Sequence, residues 1–377
     1  MPDALMVTSS FLPGRGGIES YLAELCSLVA PRLAVLGPHE RDGTPIPTGL
    51  GYPTHGHGSM LVPTRGVVTA IAELTTRYDT TKVVFGTPWP LGVLGPQLTA
   101  RGLSYVVVVH GAELLIPAAL PLVRRRMAAA LAGADLLLPV SDYTGDALRR
   151  LLEDHARPVP PIERLHARVD LERFHPNVDT APARARLGLA PGDRVVLCFG
   201  RLVKRKGVDR LIAAFPAVAE AVPRAVLVVA GTGPELSNIQ KLARRSAARV
   251  IVTGRVEAAE APAIYALAEV FALPVVDRYF GLEIEGLGVV LLEAAASGTP
   301  CVTGRSGGTP EAVIDGKTGF VVNGGDQRAL SDRIVHLLEH PSIAKEMGSA
   351  ARDHVRKEFS AVTLPAPFLA WLGDGLP

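Results

Sequence analysis

Short apolar runs alternate with amphipathic segments along nearly the whole chain, and this alternation constrains the fold more than any other feature. It is typical of βαβ units, in which parallel strands alternate with helices. Because 377 residues are too many for one ordinary hydrophobic core, we predict two α/β domains, each built on a doubly wound parallel sheet. The predicted strands are Ala4–Thr8, Leu33–Leu36, Lys82–Phe85, Tyr105–Val109 and Asp135–Val140 in the first half, and Arg194–Phe199, Ala225–Ala230, Val250–Thr253, Val270–Leu273, Pro300–Thr303 and Phe320–Val322 in the second.

Several segments between these strands have apolar residues at helical spacing. Ser141 follows a strand and precedes such a segment, so it is a predicted helix N-cap. The predicted helices are Ile18–Ala30, Tyr143–Glu153, Gln327–Glu339 and Ile343–Lys357.

Two stretches interrupt the alternation. Residues 38–66 are rich in Gly, Pro, Thr and His and are predicted to form a long, mobile surface region. Residues 157–193 contain several prolines and little periodicity, so we interpret them as the linker between domains spanning 1–175 and 176–359. The apolar segment Leu364–Leu372, within residues 360–377, is expected to pack back on the first domain.

Composition excludes several classes of protein. A net charge of +2 gives no support for binding nucleic acid. The three cysteines are isolated, so a disulfide framework is not expected, which fits a reducing cytoplasm. We expect neither a secretory leader nor a membrane span, because no apolar stretch reaches the length that either requires.

Unusual residues cluster after the predicted strands, where open α/β sheets bind their ligands. Gly14, Gly16 and Gly17 follow the first strand and open a helix, so backbone N–H groups there could meet an anion. A turn that merely needs glycine is an equal alternative.

A basic loop follows the first strand of the second half. Its four cations at a strand end favour diphosphate binding, although a solvated basic loop is the plain alternative. The cations are Arg201, Lys204, Arg205 and Lys206.

The segment Glu285–Gly298 carries the strongest signal. Its Gly-Leu-Gly opens an almost wholly apolar helix, and a carboxylate inside that helix, Glu293, would be costly without a partner. Two ribose hydroxyls would satisfy it, while Glu285 precedes the helix. A structural arginine bound to Glu293 is the alternative. The N–H groups that could meet a diphosphate are those of Gly286, Leu287, Gly288 and Val289.

These motifs together resemble the family 4 retaining glycosyltransferases of the GT-B fold, whose E-x7-E pattern Glu285 and Glu293 match. The resemblance is strong over 194–322. Within the family, residues 14–21, 110–113 and 282–288 are similar to the actinobacterial phosphatidylinositol mannoside mannosyltransferases of the B type. Further matching motifs are Gly200-Arg201, Lys206-Gly207, Val229–Pro234, Thr253–Val256 and Ser306–Glu311.

The resemblance implies two Rossmann-like domains with an interdomain cleft, an acceptor-side domain at 1–175 and a nucleotide-sugar-binding domain at 176–359. It implies that Arg201 and Lys206 hold the diphosphate, that Glu285 contacts the donor sugar and that Glu293 contacts the ribose. Arg255 and Val256 would line the base. His110, which ends a predicted strand, would reach the transferred sugar, or it is a hydrogen-bonded structural histidine.

The implied reaction transfers a hexose, mannose from GDP-mannose, to an alcohol acceptor, with a phosphatidylinositol mannoside as one candidate. No cofactor or metal is expected, since the sequence contains no Asp-x-Asp motif. The resemblance also implies retention of configuration, and front-face attack is favoured because no carboxylate is an obvious nucleophile.

Other functions stay open at this point. They are a UDP-sugar-dependent transferase acting on a soluble cyclitol or secondary metabolite, a sugar-nucleotide epimerase of the same shape, and a catalytically silent sugar-nucleotide-binding module. A Rossmann dehydrogenase is disfavoured because Gly14–Gly17 does not continue into a full G-x-G-x-x-G.

A membrane role has one physical indication. Pro121–Leu131 is a basic, partly apolar segment that could rest on anionic lipid, which would make the protein peripheral to the inner face of the plasma membrane. A structural helix with solvated arginines is the alternative.

His166-Ala167-Arg168 replaces the small turn that many relatives have before Val169-Asp170. This difference leaves a soluble acceptor open as an alternative to a lipid-linked one.

Overall fold

The computed structural model describes residues 1–14, 16–360 and 364–373, which fall into two compact units. Unit 1 comprises Met1–Ala167 and Val362–Pro377, and unit 2 comprises Arg168–Ala361. Each unit is built on a parallel sheet.

Unit 1 places its strands in the order β5-β2-β1-β6-β7-β8. The central strand β1 is fully buried because sheet neighbours flank it on both edges. The strands are β1 Ala4–Val7, β2 Leu33–Gly37, β3 Glu40–Arg41, β4 Thr44–Pro45, β5 Thr54–Gly56, β6 Lys82–Phe85, β7 Ser104–Val109 and β8 Leu136–Pro139. The helices are α1 Gly17–Leu28, α2 Arg65–Arg77, α3 Gly95–Thr99, α4 Ala112–Ala118, α5 Pro121–Ala132 and α6 Asp142–Glu153, with a 3-10 turn at Leu91–Leu94.

Unit 2 repeats this topology in the order β11-β10-β9-β12-β13-β14. Its strands are β9 Arg194–Phe199, β10 Ala225–Ala230, β11 Val250–Gly254, β12 Val270–Leu273, β13 Cys301–Gly304 and β14 Gly319–Val322. Its helices are α7 Ala181–Arg186, α8 Val208–Ala221, α9 Leu236–Arg245, α10 Ala261–Ala266, α11 Val289–Ala296, α12 Thr309–Ala312, α13 Gln327–Glu339 and α14 Pro341–Glu358, with a 3-10 turn at Lys204–Lys206.

Every predicted strand is present, with each end displaced by at most one residue. The predicted helices are present as well, and the side chain of Ser141 caps α6 by accepting a hydrogen bond from the Thr144 amide. Both results follow from apolar periodicity that matches the burial of each element.

The region 38–66 differs from its prediction as a mobile surface segment. Strands β3 and β4 pair with each other, and β5 pairs in parallel with β2 as the edge of the sheet. Tyr52 and Leu61 are buried. The strands are too short to produce a visible alternation, so composition alone indicated a loop.

Residues 168–175, which the sequence placed in the first domain, belong to unit 2. The Val169 amide donates to the Phe359 carbonyl, and the Phe174 ring meets Tyr265 edge-on, with the centroids 5.6 Å apart. The predicted linker also contains the helix α7.

The last described helix, α15 at Ala366–Leu372, belongs to unit 1. Phe368 and Leu372 are buried, and the Trp371 indole donates to Asp135 over 2.8 Å. No helix in the described residues is long and apolar enough to cross a membrane.

Candidate functional site

The strand order of unit 2 determines where a ligand would bind. Strands β10 and β11 lie on one side of β9, and strands β12, β13 and β14 lie on the other side. The direction in which strands are added to the sheet therefore reverses between β9 and β12. Open α/β sheets bind ligands at the carboxyl ends of strands at such a reversal. The loops that begin there are 200–207 and 274–288, and the Val276 amide donates to the Arg205 carbonyl between them.

An ion pair joins these two loops. The Nζ atom of Lys206 lies 2.7 Å from Oε2 of Glu285, and Nε of Arg205 lies 3.5 Å from the same oxygen. Both Lys206 and Glu285 are buried. Burial alone would raise the pKa of Glu285, but Lys206 and Arg205 outweigh it and hold the pKa below its ordinary value. Glu285 is therefore an ionised carboxylate with two cations beside it.

The backbone of Glu285 is fixed from the other side by the segment 306–308. Its amide donates to the Ser306 hydroxyl over 3.0 Å, and its carbonyl accepts from the Gly308 amide over 3.1 Å. A Cβ added at Gly307 would lie 2.0 Å from the Glu285 carbonyl oxygen. Only glycine permits this approach, so the Ser-Gly-Gly motif positions Glu285.

The remaining cations of the basic loop have different surroundings. Lys204 pairs with Glu235 at 2.6 Å, and Arg205 lies 3.9 Å from Glu283. Arg201 is exposed, and within the described part of the chain it enters no ion pair. Its guanidinium is thus the cation of this loop that is left for a ligand.

Helix α11 begins beside Glu285. Gly288, its N-cap, has a left-handed backbone with φ 87°, which glycine adopts without strain. No acceptor within the described residues receives a hydrogen bond from the amides of Gly286, Leu287, Gly288 or Val289. These free N–H groups at the positive helix end suit an anion.

Glu293 lies one turn into this helix, and its partner is a tyrosine. The Tyr265 hydroxyl donates to Oε2 of Glu293 over 2.6 Å. Burial raises the pKa of Glu293 to about 7, against the lowering effects of Tyr265 and the Arg173 charge. Because Tyr265 binds only Oε2, the structure gives the carboxylate a fixed orientation and leaves Oε1 for a hydroxyl donor.

Tyr265 is itself held by aromatic rings. It stacks on Phe199 with centroids 4.9 Å apart and meets Phe174 edge-on.

Arg255 and Val256, the residues expected to line the nucleotide base, follow strand β11 at the edge of the sheet, and Arg255 is exposed.

In unit 1, His110 follows β7 and is buried. A ring nitrogen, Nε2, lies 3.2 Å from the Gly86 carbonyl, and the Tyr21 ring meets the imidazole edge-on at 5.0 Å. Since a carbonyl only accepts, Nε2 carries the proton. Burial lowers the pKa of His110, so the imidazole is neutral near pH 7 and Nδ1 is an acceptor.

Gly16 and Gly17 begin helix α1, as expected. A Cβ at Gly16 would lie 2.1 Å from Oε2 of Glu19, whose Oε1 bonds Arg41 at 3.0 Å. An anion at this helix end would therefore share it with the Glu19 carboxylate.

Three contributors to the site lacked an assigned role in the sequence. Arg205 was counted only among the loop cations, Ser306 only within a motif, and Tyr265 not at all. A tyrosine on a mostly apolar helix looks like an ordinary core residue, so nothing in the sequence distinguished Tyr265.

Among the described residues, the unit 2 site offers the cation of Arg201, which enters no ion pair, free helix amides, the buried carboxylate of Glu285 with a lowered pKa and the partly buried carboxylate of Glu293 with a raised pKa. Such a set can bind an anionic group next to hydroxyl groups. The described residues contain no group of three or more His, Cys, Asp or Glu that could hold a metal ion.

Comparisons with known proteins identify the family of the chain. Residues 179–354 match the family described as glycosyl transferases group 1. The chain is 39% identical to a GDP-mannose-dependent alpha-(1-6)-phosphatidylinositol monomannoside mannosyltransferase of Mycolicibacterium smegmatis, with 92% of each chain covered. It is 37% identical to the Mycobacterium tuberculosis protein of the same description, with 99% of each covered.

Among solved structures, sucrose-phosphate synthase from Thermosynechococcus elongatus superposes with a TM-score of 0.79 at 22% identity, covering 95% of each chain. The fold is accordingly that of GT-B glycosyltransferases, with two parallel-sheet α/β domains. The chain belongs to the group 1 glycosyltransferase family, and it is a transferase enzyme.

Proposed function

We propose that this enzyme transfers mannose from GDP-mannose to a hydroxyl of a phosphatidylinositol mannoside, with retention of configuration and without a metal. The observation that carries the proposal is the conjunction of the buried Lys206–Glu285 pair, the free amides of helix α11 and the carboxylate of Glu293. The choice of mannose, GDP and a lipid-linked acceptor rests on the similarity to the mycobacterial mannosyltransferases.

The donor diphosphate would bind at the carboxyl end of β9. Arg201 and Lys206 would contribute positive charge, and the amides of Gly286–Val289 would donate hydrogen bonds to the phosphate oxygens. These groups stabilise the negative charge that grows on the departing diphosphate. Glu285, already fixed by Ser306 and Gly308, would orient Lys206 and meet hydroxyls of the mannose.

The nucleoside would lie beyond the diphosphate. Oε1 of Glu293 would accept from the ribose hydroxyls while Tyr265 occupies Oε2. Arg255 and Val256 would line the base. Within unit 1, the unprotonated Nδ1 of His110 is left as a hydrogen-bond acceptor for a hydroxyl group.

In the transfer step, the bond between the anomeric carbon and the diphosphate oxygen breaks through an oxocarbenium-like state. The acceptor oxygen forms its bond to that carbon on the face the diphosphate leaves. The acceptor proton passes to the departing phosphate oxygen, so GDP and a mannosylated acceptor result. No protein carboxylate forms a covalent intermediate in this step.

The proposal is tested with the full chain, GDP-mannose and a phosphatidylinositol monomannoside, with the product's anomeric configuration determined by NMR. We expect GDP release and an α-linked product. Parallel reactions contain UDP-glucose in place of GDP-mannose, or donor alone. Turnover only with the UDP-sugar would replace the donor assignment, and conversion of the donor without acceptor would indicate an epimerase.

A peripheral membrane contact at the inner face of the plasma membrane is part of the proposal. On helices α4 and α5 and between them, Ile116, Leu120 and Leu122 are 47%, 62% and 63% exposed. Arg125 and Arg126 are exposed nearby, whereas Arg124 pairs with Asp154. Apolar side chains beside arginines that enter no ion pair within the described part of the chain suit a surface of anionic lipid.

A further inference from the structure

A short aromatic tip projects from the loop that leads to Glu285. Tyr279 is 60% exposed and Phe280 is fully exposed, although both side chains are large and aromatic. Both residues also have left-handed backbone, with φ 52° and 56°, and Gly281 follows with φ 85°. Only the glycine adopts this region without strain, so the tip combines two unfavourable features in the free protein.

The base of the tip is firmly held. Arg278 and Glu283 exchange backbone hydrogen bonds, and Nη1 of Arg278 donates to Oε2 of Glu283 over 3.0 Å. Glu283 in turn lies 3.9 Å from Arg205, which lies 3.5 Å from Glu285. A continuous chain of charged contacts therefore connects the tip to the proposed donor site.

The Tyr279 ring has a defined orientation. The guanidinium of Arg278 lies over one face of the ring, 4.6 Å from its centroid, and Nη2 donates to the Tyr279 hydroxyl over 3.0 Å. One face is covered and the other faces away from this cation. A ring held in this way loses little conformational freedom when a ligand stacks on its open face.

We infer that Tyr279 and Phe280 form a stacking platform for a sugar or cyclitol ring of the acceptor. The inference rests on the proposed function, because it requires an acceptor with rings. Phe280 is five residues from Glu285, so the tip is at most about 18 Å away along the chain. An acceptor of several rings that reaches the donor sugar at Glu285 thus passes within range of the tip.

The surroundings favour a sugar over a lipid bilayer. Arg278, Glu283 and Asp277 lie at the base, and their two carboxylates would be brought towards anionic headgroups if the tip entered a membrane. The apolar face of a pyranose or cyclitol ring, in contrast, stacks on an aromatic ring while its hydroxyls remain in contact with water and charged groups.

The test uses a water-soluble acceptor, deacylated phosphatidylinositol monomannoside, with GDP-mannose. We expect the double substitution Tyr279→Leu and Phe280→Leu to raise the acceptor KM about tenfold, with the donor KM unchanged. Phe280→Trp retains an aromatic face and is expected to keep a wild-type acceptor KM.

Two controls separate stacking from loop damage. Phe280→Gly removes the ring at a position that favours glycine, so it should raise the acceptor KM without lowering Tm. Ala156→Gly is the matched control, since Ala156 has φ 47° in unit 1 and should leave the acceptor KM unchanged.

An unchanged acceptor KM in the double leucine variant and in Phe280→Gly would overturn the inference. So would a defect seen only with acceptor embedded in anionic vesicles, which would indicate a membrane contact instead. Calorimetry with GDP-mannose tests whether the proposed function itself fails. A wild-type enzyme that binds no GDP-mannose and transfers no mannose would overturn both the proposed function and the platform.

Discussion

Nζ of Lys206 and Oε2 of Glu285 lie 2.7 Å apart in a buried ion pair between two loops of unit 2. Each residue comes from the carboxyl end of a strand at the point where the strand order reverses. The pair therefore has both a structural and a proposed catalytic role, and these two roles can be separated by substitution.

Removing one partner leaves the other charge buried and unpaired. Lys206→Met or Glu285→Gln alone should lower the free energy of unfolding by about 3–5 kcal/mol. The double variant should regain much of that loss, because no uncompensated charge remains, while its kcat stays as low as in the single variants. Urea unfolding and steady-state kinetics measure both quantities, and recovery of kcat in the double variant would contradict the catalytic role.

Arg201 should affect turnover without affecting stability. Its exposed guanidinium has no ion-pair partner among the described residues, so Arg201→Ala should leave Tm unchanged. If it stabilises the departing diphosphate, kcat should fall by about 10²–10³-fold. Arg244→Ala, an exposed arginine on helix α9, is the control and should retain wild-type kcat. Near-normal turnover of the Arg201 variant would remove it from the site.

Donor binding should depend on pH through Glu293. With its pKa raised to about 7, the carboxylate is lost as pH falls from 8 to 6, so the Kd for GDP-mannose should rise over that interval. Glu285 stays ionised there, because its pKa is lowered. Glu293→Gln should weaken binding and abolish the pH dependence. Tyr265→Phe removes a hydrogen bond that lowers the Glu293 pKa, so the transition should move to higher pH in calorimetric titrations.

The same group predicts a stability effect of known sign. A carboxyl whose folded pKa exceeds its ordinary value of 4.5 contributes stability that is complete below that value and is lost as pH rises through about 7. The Tm of Glu293→Gln, relative to wild type, should therefore increase between pH 5 and pH 8. A constant difference across this range would show that Glu293 does not titrate there.

Activity should survive chelation. Charge on the leaving group is assigned to Arg201, Lys206 and the α11 amides, so we expect the rate after EDTA treatment to remain within about twofold of the untreated rate. Assays with EDTA, and with Mn²⁺ or Mg²⁺ restored, decide this. An absolute requirement for either ion would refute the metal-independent mechanism.

Vesicle binding should depend on the exposed leucines of unit 1. Replacing Leu120 and Leu122 by Ser should reduce sedimentation with anionic vesicles about tenfold or more, since two exposed apolar side chains are lost. Met60→Ser, which alters another exposed apolar side chain of unit 1, is the control. Equal sedimentation of the double serine variant and wild type would exclude this patch as a lipid contact.

The sequence was most informative where a local pattern determines structure. Apolar runs defined the strands, and an acidic residue inside an apolar helix identified Glu293 as unusual. Strand β5 was missed because three residues produce no alternation.

Contacts between segments that are distant in the chain could not be predicted from the sequence, for a different reason. The partner of Glu293 is Tyr265, and the partner of Lys206 is Glu285, and both pairings depend on how strands order within the sheet. Charge and position at a strand end together assigned the basic loop to a diphosphate, whereas the structure pairs one of its cations, Lys204, with Glu235. Periodicity also carries no information about residues 168–175, whose packing is tertiary.

The return of helix α15 to unit 1 has a consequence for biosynthesis. Trp371 reaches Asp135, and Phe368 is buried, so unit 1 lacks part of its core until residues 366–372 have been translated, after the whole of unit 2. Unit 2, whose residues are contiguous, has all of its chain earlier. Domains fold as units during synthesis, so unit 1 would be completed after unit 2, and the nascent protein would expose the α15 binding surface while all of unit 2 is translated.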